Sequence, residues 1–182
     1  MCNPVQEACN PEENWSSPFS LTVYAGPASP TPLLDLVRLK IPTLAPYVSF
    51  TSALGYVLYS DYKFLAFEQE GSLSFYSEGI QSTSFQETTL LRWLATPWNK
   101  VVNSSLAMGI GLSYALSPPQ VEIDVLSRSN SLLMHLVFEF AADINSKWKG
   151  IFRIHHRSGA YGLFNGVVGG SDFLCLGVRY RM

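Results

Sequence analysis

Trp148-Lys149-Gly150-Ile151-Phe152-Arg153-Ile154-His155-His156-Arg157-Ser158 divides cleanly when read with a period of two. The even positions are Trp148, Gly150, Phe152, Ile154, His156 and Ser158. The odd positions are Lys149, Ile151, Arg153, His155 and Arg157. Successive side chains of a strand point to opposite faces. One face is therefore apolar and ends in a histidine and a serine, while the other is strongly basic. A potential base and nucleophile thus stand on the greasy side of a strand.

The composition carries the same alternation through the chain. Of 182 residues, 14% are charged and 13% aromatic, against roughly 25% charged in ordinary soluble domains. Mean hydropathy is +0.14. No stretch supplies the ~20 apolar residues of a transmembrane helix, and Ser105–Leu116 is too short and too rich in Gly and Ser. Apolar content without apolar runs suits a membrane β-barrel, whose strands show lipid every second residue. A net charge of −2 gives no reason to expect a nucleic-acid partner.

Residues 1–18 contain Pro4, Pro11 and Pro18 and read as an irregular tail, so the barrel domain is expected over 19–182. Cys2 and Cys9 in that tail could pair in an oxidising compartment. With Cys175 they make neither a disulfide framework nor a metal motif, and no metal or cofactor is expected. Met1-Cys2-Asn3-Pro4 lacks the basic start and apolar core of a signal peptide. Because an exported barrel needs one, either the signal has been removed or it lies upstream of this start.

Eight alternating segments follow the tail: Phe19–Gly26, Ala45–Tyr59, Tyr62–Ser77, Thr83–Thr96, Asn103–Leu116, Asn130–Ala142, Lys147–Ser158 and Asp172–Met182. In the fifth, Leu106, Met108, Ile110, Leu112, Tyr114 and Leu116 alternate with Ala107, Gly109, Gly111, Ser113 and Ala115. An eight-stranded barrel has an interior just wide enough for side chains to fill. Small residues and paired charges suit that interior, and Leu, Phe and Tyr then face outward. Inward Arg153, Arg157, Arg179 and Arg181 need partners such as Glu68, Glu70 and Glu139. His155 joins His135 inside. The fold expected is a single eight-stranded antiparallel up-and-down transmembrane β-barrel.

Connections after the second, fourth and sixth segments (Ser60-Asp61, Pro97–Val102, Asp143–Ser146) are shorter than most of the others, of which the shortest lies near Glu78–Ser82. Outer-membrane barrels have short periplasmic turns and long outer loops. With both termini periplasmic, the seventh strand runs outward and carries His156 and Ser158 to the outer-leaflet rim. Trp93, Trp98 and Trp148 near strand ends read as interfacial anchors.

A serine hydroxyl needs a base to take its proton, and the base needs a third group to orient it. His156 and Ser158 share a face. Asp143 lies at the opposite end and Glu139 faces inward, which leaves Asp172 by elimination. A hairpin symmetric about Asn165 would set Ser158 opposite Asp172 and His156 diagonal to it, ~7–8 Å away. The loop between them holds Gly159, Gly162, Gly166, Gly169 and Gly170. Its amides, with those of Gly159 and Gly162 foremost, or the Asn165 side chain, could stabilise an oxyanion.

The run Ile154-His155-His156-Arg157-Ser158-Gly159-Ala160, with Gly162, Asn165, Gly166 and a last alternating strand, resembles the C-terminal signature of the PagL lipid A 3-O-deacylases. That resemblance implies an eight-stranded outer-membrane barrel which removes an ester-linked acyl chain from lipid A. It also implies His156 and Ser158 as the family's His-x-Ser and Asn165 as its oxyanion asparagine. Lipopolysaccharide would be the substrate and outer-membrane lipid the surroundings; a homodimer is left open. The likeness runs from Ile154 to the C-terminus. Gly159 stands where the family has Asn, Asp172 where it has a Glu slightly nearer the serine, and Met182 where such barrels commonly end in an aromatic.

Two other readings stay open. A non-catalytic small outer-membrane barrel, structural or surface-binding, treats His156 and Ser158 as polar residues at the headgroup level and leaves Asp172 and Asn165-Gly166 as turn residues. A soluble lipid-binding barrel requires Leu106, Met108, Ile110 and Leu112 to point inward.

Overall fold

The computed structural model describes residues 17–61, 63–77, 83–126 and 129–182. Its strands are β1 (Phe19–Ser29), β2 (Val48–Ser60), β3 (Leu65–Tyr76), β4 (Thr83–Trp93), β5 (Ser104–Ala115), β6 (Leu132–Asp143), β7 (Trp148–Ser158) and β8 (Gly170–Arg181). Each pairs antiparallel with its neighbour in sequence and β8 closes on β1. Closure removes the free edge that an open sheet would expose. Each expected segment overlaps one strand, with shifted ends: β1 runs on to Ser29, β2 begins at Val48 rather than Ala45, β3 at Leu65 rather than Tyr62, β4 ends at Trp93 rather than Thr96, and β8 begins at Gly170 rather than Asp172. The tail expected over 1–18, with Cys2 and Cys9, lies outside the described residues except for its last two positions.

The closure is staggered. Cross-strand partners lead from Phe19 through Tyr56, Gln69, Thr89, Ile110, Leu136, His156 and Asp172 back to Ser29, ten residues farther along β1. A stagger of this kind goes with strands tilted about 35–45° to the barrel axis.

The alternation resolves as apolar outward. On β5, Leu112 is 48% exposed while Ser113 and Ala115 are at 0%. A barrel that stored lipid inside would have the reverse, so the soluble lipid-binding reading is excluded. Among the described residues no helix is long and apolar enough to cross a membrane; a β-barrel that crosses one does so with its strands.

Charges fill the lumen toward the end where β2–β3, β4–β5 and β6–β7 connect. Arg153 bonds Glu70 at 2.6 Å and Glu139 at 2.8 Å, and its guanidinium lies 4.6 Å over the Tyr24 ring. Arg92 reaches Glu68 at 3.0 Å and Glu139 at 2.8 Å. Arg179 bridges Glu139 at 3.1 Å and Glu68 at 3.6 Å. Each charge has a partner, the condition for keeping ions in a dry interior. Arg181 instead lies 3.6 Å from Asp143, at the turn end. Toward the other end Tyr24, Tyr76, Val121 and Phe173 form one buried cluster, beside a further buried ion pair between Arg157 and Glu122. His135 and His155 sit between these zones, fully buried, with ring centroids 4.4 Å apart.

The connections divide only in part as expected, because β4 ends at Trp93 and β5 begins only at Ser104, a longer connection than β3–β4. β2–β3 and β6–β7 turn within a few residues, the first around Asp61, whose carboxylate accepts from the Lys63, Phe64 and Leu65 amides. Those three bonds hold the Asp61 carboxyl below its ordinary value, the Leu65 amide contributing most. The β1–β2 connection carries a short helix α1 (Leu33–Val37), and β5–β6 carries α2 (Gln120–Leu126). The β3–β4 connection at Glu78–Ser82 lies outside the described residues.

Candidate active site

His156 and Ser158 close the outward face of β7 at the loop end. Across the hairpin, His156 pairs directly with Asp172 and Ser158 with Gly170. This corrects the symmetric register, which set Ser158 against Asp172. The loop is 159–169, centred nearer Phe164 than Asn165, so β8 enters two residues earlier and Asp172 moves two rungs down. The consequence favours a histidine–carboxylate pair: His156 Nδ1 lies 2.8 Å from Asp172 Oδ1. Both side chains are nearly sealed, at 7% and 4% exposure.

With the carboxylate ionised, Nδ1 carries the proton and donates it to Asp172, which leaves Nε2 as the free basic nitrogen. The ring lies against Gly170, where a Cβ would stand 2.6 Å from His156 Cε1 and 3.0 Å from Nε2. The Nε2 edge therefore sits on the rung of Ser158 and Gly170, and only glycine at 170 leaves room for it.

The Ser158 hydroxyl is held by the loop. Its Oγ accepts from the Ala160 N–H at 3.1 Å and donates toward Gly169 O at 3.4 Å. Among the described residues no hydrogen bond joins it to His156. The amide of Gly159 is committed to Gly169 O at 3.0 Å, and that of Gly162 to Gly159 O at 3.1 Å. Asn165 is exposed near the middle of the loop with φ at 50°. The structure thus brings His156, Asp172 and Ser158 onto neighbouring positions of one face, two rungs apart, and holds Asn165 apart on a turn of positive φ.

Residues that sequence patterning did not single out frame this site. Glu122 of α2 enters the mouth of the lumen fully buried; it accepts from Arg157 Nη1 at 2.7 Å and from Ser171 Oγ at 2.8 Å. Arg157 and Ser171 form the rung between the His156–Asp172 and Ser158–Gly170 pairs. Arg157 also donates to Ser113 Oγ at 2.9 Å and to the Ser131 carbonyl at 3.1 Å. The only sequence signal for Glu122 is an acidic residue in the first turn after Pro118-Pro119, a common helix-start pattern.

Beside the site, an apolar groove of about 420 Å³ runs along the outer wall. Leu36 and Val37 of α1 line it with Phe138, Phe152 and Ile154 of the barrel. Ile154 is the outward residue immediately below His156 on β7 and is only 5% exposed. Such a volume lies within the ~300–1,000 Å³ of small-molecule sites.

Scans against family models, curated proteins and solved structures return no match to this chain.

Proposed function

We propose that the protein is an outer-membrane serine esterase that removes an ester-linked acyl chain from lipid A of lipopolysaccharide. The observation that carries the reading is the His156–Asp172 hydrogen bond on the outward face, two rungs from Ser158. A histidine–carboxylate pair nearly sealed at the loop end of an otherwise apolar outward face serves no packing need, and polar groups at such a place are costly unless they act. The likeness of residues 154–166 to the lipid A 3-O-deacylases supplies the substrate. Rings near both ends of the outward band support the membrane placement: Trp93, Trp148 and Tyr180 toward the turns, Phe50, Phe85 and Tyr114 toward the loops. With short turns periplasmic, the site meets the outer leaflet.

In this reading the Ser158 hydroxyl swings from Gly169 O toward His156 by rotation about χ1. Oγ attacks the ester carbonyl as Nε2 takes its proton. Asp172 holds the ring and stabilises the imidazolium. The tetrahedral intermediate collapses, the carbon–oxygen bond to the sugar breaks, and His156 returns the proton to the departing hydroxyl. Water then attacks the acyl-enzyme with His156 as base, and the fatty acid leaves. The Ala160 N–H, Gly159 and Gly162 in the same loop, and the Asn165 side chain are the oxyanion donors, after the loop adjusts around substrate. The released acyl chain fits the groove beside Ile154. No metal or organic cofactor enters these steps.

Mass spectrometry of lipid A from cells with and without the protein tests the reading. Expression should remove one acyl chain, and Ser158→Ala should restore the full mass while the barrel stays folded. Deacylation that persists in Ser158→Ala refutes it. A non-catalytic small barrel is the second reading, favoured by the loop's hold on the Ser158 hydroxyl; it requires identical lipid A spectra with and without the protein.

A further inference from the structure

Three features outside the candidate esterase site invite explanation: the lumenal histidine pair, the α2 plug, and a polar patch in the middle of the outward face. The first two have charged or hydrogen-bonding neighbours inside the barrel. The third faces away from the protein. Gln69 on β3, and Glu87 and Thr89 on β4, project outward near the midpoints of their strands. Thr89 Oγ1 donates to Gln69 Oε1 at 2.9 Å, and the Gln69 amide donates to Glu87 Oε1. Around them the outward residues are Leu54, Phe67, Phe85, Leu91, Ile110 and Leu112, all exposed. Among the described outward strand residues, Glu87 is the one charged side chain outside the His156–Asp172 pair.

A carboxylate at mid-height of an apolar band is costly when only lipid covers it. The surface next to it is hollow. Gly71 lies directly across from Glu87, and a Cβ there would meet nothing within 4 Å. Exposed Ser52 on β2 extends the same small-residue strip. Together with Leu54, Leu73 and Phe85 they outline a depression of about 410 Å³ beside the polar ridge. Small residues that admit close approach, with polar side chains as glue, are the means by which surfaces associate in lipid.

We propose that this face of β2–β4 is the contact surface of a two-fold homodimer. The ridge and the hollow are neighbours on one surface, so a two-fold axis between them seats each ridge in the other copy's hollow. An isologous contact needs this self-complementarity. Within the ridge the Thr89 hydroxyl and the Gln69 amide donate to Gln69 and Glu87, so Glu87 is the acceptor that each copy presents to the hollow of the other, where the exposed Ser52 hydroxyl can donate. The face lies across the eight-stranded barrel from β7 and β8, so dimerisation leaves His156 and Ser158 open to lipid. The inference rests on the membrane placement proposed above and is independent of the esterase activity.

Two measurements test it. Sedimentation equilibrium of the full chain in detergent micelles should give a dimer. Gln69→Leu combined with Glu87→Leu should weaken association by about tenfold or more, with heat-modifiable gel mobility reporting an intact barrel. Glu87→Gln, which keeps the hydrogen bonds, should stay dimeric. In isolated outer membranes, Ser52→Cys should cross-link to itself under mild oxidation and Leu176→Cys on the opposite wall should not, with Cys2 and Cys9 replaced by Ser in both. A wild-type monomer, a dimer unaffected by the double replacement, or cross-linking through Leu176→Cys alone would each overturn the proposal. Recovery of the chain outside the membrane fraction would overturn it too, together with the membrane placement; loss of deacylation with the dimer intact would bear only on the esterase.

Discussion

Replacing Glu122 with Ala should destabilise the barrel and disable the site together. Glu122 is fully buried and takes three hydrogen bonds, from Arg157 at 2.7 Å, from Ser171 at 2.8 Å and from the Ser129 hydroxyl. Its removal leaves the Arg157 guanidinium at 0% exposure with only neutral acceptors: Ser113 Oγ and the carbonyls of Asn130 and Ser131. Breaking a buried ion pair from one side costs about 3–5 kcal/mol, because a charge is stranded. The Ser171 hydroxyl loses an acceptor, worth about 1 kcal/mol, whereas the three neutral acceptors keep Arg157 partly solvated. A net loss of about 3–4 kcal/mol follows. Equilibrium urea unfolding in lipid vesicles measures it. Replacing both residues, Glu122→Leu with Arg157→Leu, removes the stranded charge and should recover most of the loss, as buried pairs exchanged for apolar groups commonly do. The rung Arg157–Ser171 lies between the two rungs of the site, so fatty-acid release should fall in Glu122→Ala even under conditions where the variant is fully folded. A loss under 1 kcal/mol, or a double variant no better than the single one, would refute the assignment of Glu122 as the counter-charge of Arg157.

Three further outcomes follow from the geometry. Asp172→Asn should lower fatty-acid release by about 10⁴-fold without unfolding the barrel, because the amide favours the wrong tautomer of His156; a rate within tenfold of wild type would show that Asp172 does not orient the base. Gly170→Ala drives a Cβ to 2.2 Å from Arg157 O and 2.6 Å from His156 Cε1, so the ring must move; release should collapse and stability fall by about 1–3 kcal/mol, read by kinetics and urea unfolding of the same sample. At the loop end, the Tyr47 hydroxyl and then the Gln120 amide hold the Asp124 carboxyl below its ordinary 3.8. A depressed acid stabilises the fold above its unfolded pKa, and that stability is lost as pH falls through the lower folded value. Amide exchange of α2 should therefore quicken below pH 3.8, and Tyr47→Phe should shift that onset upward.

Much of this architecture was legible in the chain because a strand has the simplest of periods. Ala107, Gly109, Gly111, Ser113 and Ala115 against Leu106 to Leu116 can satisfy a small barrel only with the large side chains outside, and the structure has them so. The segment limits were less legible. The first segment was expected to end at Gly26, yet Pro27 pairs with Val48 on β2 and the strand runs to Ser29. Short helices went unseen: α1 has five residues and α2 seven, too few for a helical period to show.

Partner choice was legible in type and not in identity. Inward arginines had to find carboxylates, and Arg153 does so with Glu70 and Glu139. That Arg157 would be answered by Glu122, from a connection 35 positions earlier, follows from how a loop folds into the barrel mouth. By itself, then, the sequence determined the barrel, the outward apolar face, and the placement of His156 and Ser158 at its loop end, because side-chain direction in a strand is set locally. Only the tertiary structure decided the register. Alternation fixes the face of a residue but not its partner, and a shift of two residues preserves every face. That shift of two separates Asp172 facing Ser158 from Asp172 bonded to His156.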